Sequence, residues 1–188
     1  DSDTCFNIML GCNAGASLNA ADNSVFIGQN AGRCNQSAQY NTGIGKDAFC
    51  LLTTGHNNIA MGYIAGRSMT SGCCNLFFGA YSGFQAVSAN NNTGFGVGSL
   101  KRVGCCGVGN RNSAFGDKAG NSMSCGCDNT FLGHYAGKTT QSGSNNVLIG
   151  SCIWNVAQND SGYLAIGVQG NRWITGNGDF NVGIGTTN

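Results

Sequence analysis

The residues of this chain with the chemistry to react, bind metal or cross-link are eleven cysteines, two histidines and eight acids, every acid an aspartate. Their spacing argues against most of that chemistry. Cys125-Gly126-Cys127 is a Cys-x-Cys, and Cys73-Cys74 and Cys105-Cys106 are vicinal; none has the Cys-x₂-Cys spacing of a zinc site or a redox pair. No metal site and no cofactor is expected. His56 and His134 have no nucleophile or base at a matching position and read as surface residues. Asp22, Asp47, Asp117, Asp128, Asp160 and Asp179 are scattered, and Asp47 and Asp117 lie too far apart to share acid–base work. The glycine-rich run Gly104 to Gly109 lacks the Gly-Lys-Ser/Thr of a phosphate loop, and Gly176-Asn177-Gly178-Asp179 lacks the repeated aspartates of a calcium-binding roll. The sequence therefore argues against an enzyme.

The cysteines are better read as staples. Cys34 and Cys50 fall in adjacent units of the repeat described below and are expected to form a disulfide. Cys105 and Cys106 precede the unit holding Cys125 and Cys127, where one or two bridges are expected. Cys5, Cys12, Cys73, Cys74 and Cys152 have no evident internal partner and are candidates for bonds between molecules. The total is odd, so at least one thiol is free or bonded to another molecule.

Such cysteine density belongs outside the cytosol. The chain starts Asp1-Ser2-Asp3 without methionine, which removal of a signal peptide or a start trimmed for expression would each explain; with the cysteines, an extracellular or cell-surface location is expected. Asn35, Asn91 and Asn159 open sequons and are candidate glycosylation sites. Charged residues are 9% of the chain and the net charge is +1, which predicts neither nucleic-acid binding nor attraction to an anionic membrane. No apolar run is long enough to insert in a bilayer.

The elements that carry these residues are set by one period. A glycine recurs at Gly11, Gly28, Gly45, Gly62, Gly79, Gly96, Gly116, Gly133, Gly150, Gly167 and Gly185, in steps of 17 residues apart from one of 20 and one of 18. Numbering each unit from this marker, position −1 is large and apolar throughout, from Leu10 to Ile184. Position −3 is mostly β-branched or apolar, and position −4 is asparagine in all but two units (Ser24 and Tyr163). Strand side chains alternate, so −3 and −1 share a face, and their apolarity predicts that this face points inward. Stacked asparagines at −4 are expected to bond amide to amide along the rod, and the small residues at +3 and +4 fit a narrow interior.

A unit this short cannot bury an apolar face alone. The sequence predicts an all-β fold: a single β-solenoid over 1–188, a parallel β-helix or β-roll of about eleven 17-residue coils, stapled by disulfides. The three extra residues around Gly104-Cys105-Cys106-Gly107 are expected to bulge out. Position −2 carries a slower rhythm, with Phe26, Phe77 and Phe131 recurring every third unit and Gly43 and Gly94 likewise. This reads either as ancestry by block duplication or as every third unit facing a neighbouring molecule. The unit starts near the first residue and still runs at the last. The interval from Gly185 through the end to Gly11 of a following copy is 14 residues, close to one unit, and suggests head-to-tail stacking.

The units Asn23-Ser24-Val25-Phe26-Ile27-Gly28, Asn57-Asn58-Ile59-Ala60-Met61-Gly62 and Asn145-Asn146-Val147-Leu148-Ile149-Gly150 resemble the head repeats of trimeric autotransporter adhesins, which are trimers of left-handed parallel β-rolls. Asn41-Thr42-Gly43-Ile44-Gly45 and Asn92-Thr93-Gly94-Phe95-Gly96 are similar to repeats of phage tail fibres, and the ending Val182-Gly183-Ile184-Gly185-Thr186-Thr187-Asn188 is similar to the segment before their intramolecular chaperone. The units here are longer than those of adhesin heads and rich in cysteine. The first expectation is a secreted structural subunit of an extracellular filament or sheath, a homopolymer joined head to tail through open solenoid ends and disulfides. The resemblance implies instead a homotrimeric fibre shaft or adhesin, with cell-surface glycans as a partner. A ligand- or ice-binding rod is the third expectation. Trp154, Trp173 and Tyr163 gather where the repeat is least regular, as a patch for a partner or a cover for the core.

Overall fold

The computed structural model describes residues 6–154, 159–169, 171–177 and 182–184. Ten short strands come first in chain order: β1 Ile8–Leu10, β2 Val25–Ile27, β3 Thr42–Ile44, β4 Ile59–Met61, β5 Leu76–Phe78, β6 Thr93–Phe95, β7 Ser113–Phe115, β8 Thr130–Leu132, β9 Val147–Ile149 and β10 Leu164–Val168. Each pairs in parallel with the next in strict register, for example Leu76 opposite Thr93 and Phe78 opposite Phe95. The chain is thus a single β-solenoid with one strand per coil. Nine parallel pairings join the ten strands, so the described residues make nine turns and not eleven. At about 4.8 Å per rung the stack is roughly 43 Å long.

The shortfall lies at the C-terminal end. After β10 the chain reverses into β11 (Asn171–Gly176), antiparallel to β10, and β12 (Val182–Ile184), antiparallel to β11. Position +3 after Gly167 is Gly170, where the preceding coils have Ala, Ser or Ile. The run Asn171-Arg172-Trp173-Ile174-Thr175 extends instead. Ile153 and Ala165 are fully buried at this end, whereas Met9, Ala14 and Leu18 in the first coil are only half buried. Gly185 and the residues after it lie outside the described residues, as do Cys5 and Asp179.

The strand faces are the reverse of the expectation. Position −2 points in: Phe26, Ala60, Phe77, Ala114, Phe131, Leu148 and Ala165 are fully buried, while −3 and −1 are half-buried or exposed from end to end. A coil with a single three-residue strand encloses a narrow space. One side chain per strand fills it, together with those at +3, +4, +7 and −4. The small +3 residues are buried as expected, from Ala31 to Ala136. The rhythm at −2 is therefore interior packing, which excludes the reading that every third unit turns these residues to a neighbour. Where −2 is Phe, +4 is Gly; where −2 is Gly43 or Gly94, +4 is Phe49 or Leu100, both fully buried.

Two ladders hold the coils in register. Asn58 donates its backbone N–H and its side-chain amide to Oδ1 of Asn41, at 2.9 and 3.1 Å. The same pair of bonds repeats from Asn75 to Asn58, Asn92 to Asn75, Asn112 to Asn92 and Asn129 to Asn112. The amides also donate to carbonyls of the next coil, as Asn75 does to Ala89 at 2.7 Å. These asparagines are buried, and an unpaired amide there would cost about 1–3 kcal/mol. The second ladder is the marker glycine. Gly79 has φ +127°, and a Cβ on it would lie 2.5 Å from the Gly96 carbonyl oxygen, so only glycine lets successive coils approach.

Candidate functional site

The outward strand face is a regular surface that runs through all ten parallel strands. Its −3 row runs Ile8, Val25, Thr42, Ile59, Leu76, Thr93, Ser113, Thr130, Val147 and Leu164. Its −1 row runs Leu10, Ile27, Ile44, Met61, Phe78, Phe95, Phe115, Leu132, Ile149 and Ile166. Of these twenty side chains sixteen are apolar, and the other four are Thr or Ser; none is charged. Leu10 is 65% exposed, Phe95 47% and Leu132 48%, so large apolar groups stand in solvent along the full rod. The rings of Phe78 and Phe95 stack at 4.8 Å and 6°, and Phe95 stacks on Phe115 at 6.5 Å. Parallel in-register pairing forces this: identical positions fall directly above one another. Beyond the marker bend the +1 column is mixed: Tyr63 and Val97 are exposed there, and Lys46, Asp117 and His134 stand in the same column. A solvent-exposed apolar strip of this length is uncommon on a monomer.

Of the expected disulfides, the one between the Cys105/Cys106 and Cys125/Cys127 pairs forms and Cys34–Cys50 does not. Among the described residues the one disulfide is Cys106–Cys125, with Cα atoms 5.9 Å apart, at the foot of the insertion, whose residues 105–108 are exposed as a bulge. Cys34 and Cys50 are free thiols. The Cys34 N–H donates to the Cys50 carbonyl at 3.1 Å, which sets Cys34 beside Leu51 in the +6 column and leaves Cys50 in the +5 column. One position of offset puts the two side chains in different rows. Cys50 is buried, and that burial pushes its thiol pKa up. Cys12, Cys74 and Cys105 are free and exposed; Cys73, Cys127 and Cys152 are free and half-buried. Cys73 and Cys127 each accept a backbone N–H at sulfur, from His56 and Asn110.

His134 has partners that position-matching missed. Its Nε2 lies 3.5 Å from Oδ2 of Asp117, and its Nδ1 lies 4.0 Å from Sγ of Cys152. Asp117 and His134 share the +1 column, and Cys152 is at +2 one coil further on; rung-to-rung offsets of 17 and 18 residues would have shown the line. Both His134 and Asp117 are about half exposed on an open surface. Among the described residues no cluster of three or more His, Cys or Asp side chains could hold a metal ion. Among the described residues no helix is long and apolar enough to cross a membrane.

The remaining candidates separate by burial. Asn35 is fully buried; its Nδ2 donates to the Ala38 carbonyl and its Oδ1 accepts the Ala38 N–H, so this sequon is closed to glycosylation in the folded chain. Asn91 and Asn159 are exposed. Trp154 and Tyr163 are half-buried and linked by Arg172, which donates to the Trp154 carbonyl at 3.3 Å and sits 5.8 Å from the Tyr163 ring centroid; Trp173 is 55% exposed. Comparison with protein-family models, with curated proteins and with solved structures found no match.

Proposed function

We propose that the chain is a structural rod that associates with copies of itself in an extracellular assembly, joined along the outward strand face. The observation that carries this is the uncharged double row from Ile8 to Ile166. Water gains by its removal, and flat sheets pack face to face at about 10 Å separation. A face about 43 Å long and about 10 Å wide has a footprint on the order of 430 Å², or about 860 Å² for a pair of copies, just under the ~1,000 Å² expected of a stable interface. A contact of that size predicts weak association that depends on concentration. Cys12, Cys74 and Cys105 are free and exposed, which supports cross-links between copies. The disulfide supports an oxidising compartment. Because β11 and β12 reverse direction, the proposal draws its contact from the rod's side and not from continued coil stacking at its ends.

Negative-stain microscopy of native material, with gels run with and without reductant, tests this reading. Laterally paired or bundled rods that partly dissociate in reductant support it. Discrete trimers would favour the fibre-shaft or adhesin reading, and monodisperse single rods at all concentrations would contradict both. A second reading, a ligand- or ice-binding rod, is favoured by the fixed rung spacing of the same face and its Thr42, Thr93 and Thr130. Thermal hysteresis in dilute, monomeric protein would support that reading over assembly.

A further inference from the structure

A second side of the coil carries a pattern that the net charge of +1 conceals. Position +5 is a cation in every second unit: Arg33, Arg67, Lys101 and Lys138. The first three are 34 residues apart, which is two coils, and the last step is 37, two coils plus the three-residue insertion. The ladder keeps this column in register. The carbonyls of Arg33, Arg67 and Lys101 accept N–H groups from Ser17, Leu51 and Gln85 of the preceding coils, at 3.0, 3.1 and 2.8 Å. Two rungs separate successive cations by about 10 Å. Arg102 adds a fifth charge beside Lys101.

This side carries no acid of its own. Positions +5 to +9 hold no aspartate in any of the eight units from Gly11 to Gly133. Among the described residues the ion pairs are Arg111–Asp128 and His134–Asp117, neither of which uses a cation of this column. The charge on Arg33 is favoured first by a hydrogen bond to Cys34, then by Cys50, and only slightly by Asp47. At mid-column Lys101 lies 5.5 Å from the Tyr81 ring centroid and 6.0 Å from that of Phe84, the aromatic residue that stands between Arg67 and Lys101. Next to it a notch of about 120 Å³ is lined by Tyr81, Val97, Gly98, Lys101, Lys118 and Asn121. Gly98 opens it, because that position is Tyr81 in the coil before and Lys118 in the coil after.

We infer that this column binds an extended acidic polysaccharide, with one sulfate or carboxylate per two coils and a sugar ring seated in the notch against Tyr81. Aromatic rings offer a face for the C–H side of a sugar, and the cations meet its anionic groups at a fixed interval. A nucleic acid is the competing polyanion and enters as an arm of the test. The inference does not rest on the assembly reading, since the marker bend separates this column from the strand face.

Fluorescence anisotropy with a labelled heparin oligosaccharide (sulfated), an oligogalacturonate (carboxylated), neutral dextran and a single-stranded oligo-dT tests it, on the full chain and across a salt series. Binding to one or both anionic glycans, with none to dextran, is expected, and which of the two binds identifies the anion. Arg67→Gln/Lys101→Gln/Lys138→Gln should weaken binding at least about tenfold and lower the slope of log affinity against log salt by about two to three. Lys46→Gln/Arg111→Gln, which removes charges from other columns, should change affinity less than about threefold. Circular dichroism and the thermal midpoint confirm that each variant is folded, and Lys101→Gln alone serves if the triple variant is not. Absence of binding to either glycan, equal loss in the two charge variants, retained affinity in the column variant, or oligo-dT bound as tightly as the glycans would each overturn the inference.

Discussion

The ring of Phe77 lies so close over Gly83 that a Cβ on that glycine would sit 2.5 Å from three of its ring atoms. The two residues belong to one unit, at −2 and +4, and share the interior volume that Gly43 and Phe49 divide the other way round. Gly83 also has φ +58°, so its replacement carries a backbone cost besides the clash. Phe77→Ala should destabilise by about 3–5 kcal/mol, as for a fully buried ring. Gly83→Ala should cost more in the wild-type background than in Phe77→Ala, because removing the ring leaves only the backbone term. A double-mutant cycle by urea unfolding should give a coupling above about 1 kcal/mol; additive effects would mean that the two do not share space.

The asparagine ladder predicts a different signature. Asn75→Ala removes the Oδ1 that accepts both the N–H and the amide of Asn92, and strips a donor from the carbonyl of Ala89. Several buried partners lose a bond at once, so a loss of about 3 kcal/mol or more is expected from chemical denaturation. Asn75→Asp keeps the acceptor but loses the amide donors and sets a carboxylate against carbonyl oxygens. Its folded pKa should rise, so its destabilisation should deepen as pH climbs through the ordinary carboxylate range and ease on acidification.

Glycines that look equivalent in the sequence should differ sharply. At Gly79 an added Cβ would meet the backbone of the next coil, whereas at Gly107, on the insertion, it would meet nothing within 4 Å. Gly79→Ala should cost at least about 4 kcal/mol or prevent folding. Gly107→Ala, with φ +86°, should cost about 1 kcal/mol. Thermal midpoints of the two variants, measured side by side, check the contrast.

Burial of Cys50 links stability to pH. Its thiol is raised by desolvation, so the unfolded chain loses this proton before the folded chain does. The contribution is fully present below the unfolded pKa and is lost as pH rises past about 8.5. The wild-type thermal midpoint should fall between pH 8 and 10 by more than that of Cys50→Ala. Native alkylation should label Cys12 and Cys74 well before Cys50.

These contrasts show what the sequence made legible. The asparagine column and the marker glycine each demand one residue type for one physical reason, so their roles could be read directly. The orientation of the strands could not. Phe95 and Phe115 are uniformly apolar neighbours in their row and so suggested a core, yet apolar residues are only one-way evidence of burial. The better signal was the mixture of Phe77, Gly94 and Ala114 at −2, because only an enclosed volume requires large and small residues to compensate. Val182-Gly183-Ile184 is indistinguishable from a coil strand in sequence, but it pairs antiparallel to β11, since strand direction depends on the turn before it. Cys34 and Cys50 sit in adjacent coils as expected, and a one-position offset keeps them apart. The cations at +5 were visible as a 34-residue period but were hidden by counting net charge.

The assembly reading is tested most directly by sedimentation equilibrium of the wild type and of Phe95→Lys/Phe115→Lys over a hundredfold range of concentration in reductant. Both rings are exposed, so the substitutions leave the interior intact and place two charges in the middle of the strand face. The account predicts a wild type whose mass rises with concentration to that of a dimer or larger assembly, and a folded variant that stays a monomer throughout. A wild type that remains monomeric, or a variant that associates as strongly as the wild type, would contradict it.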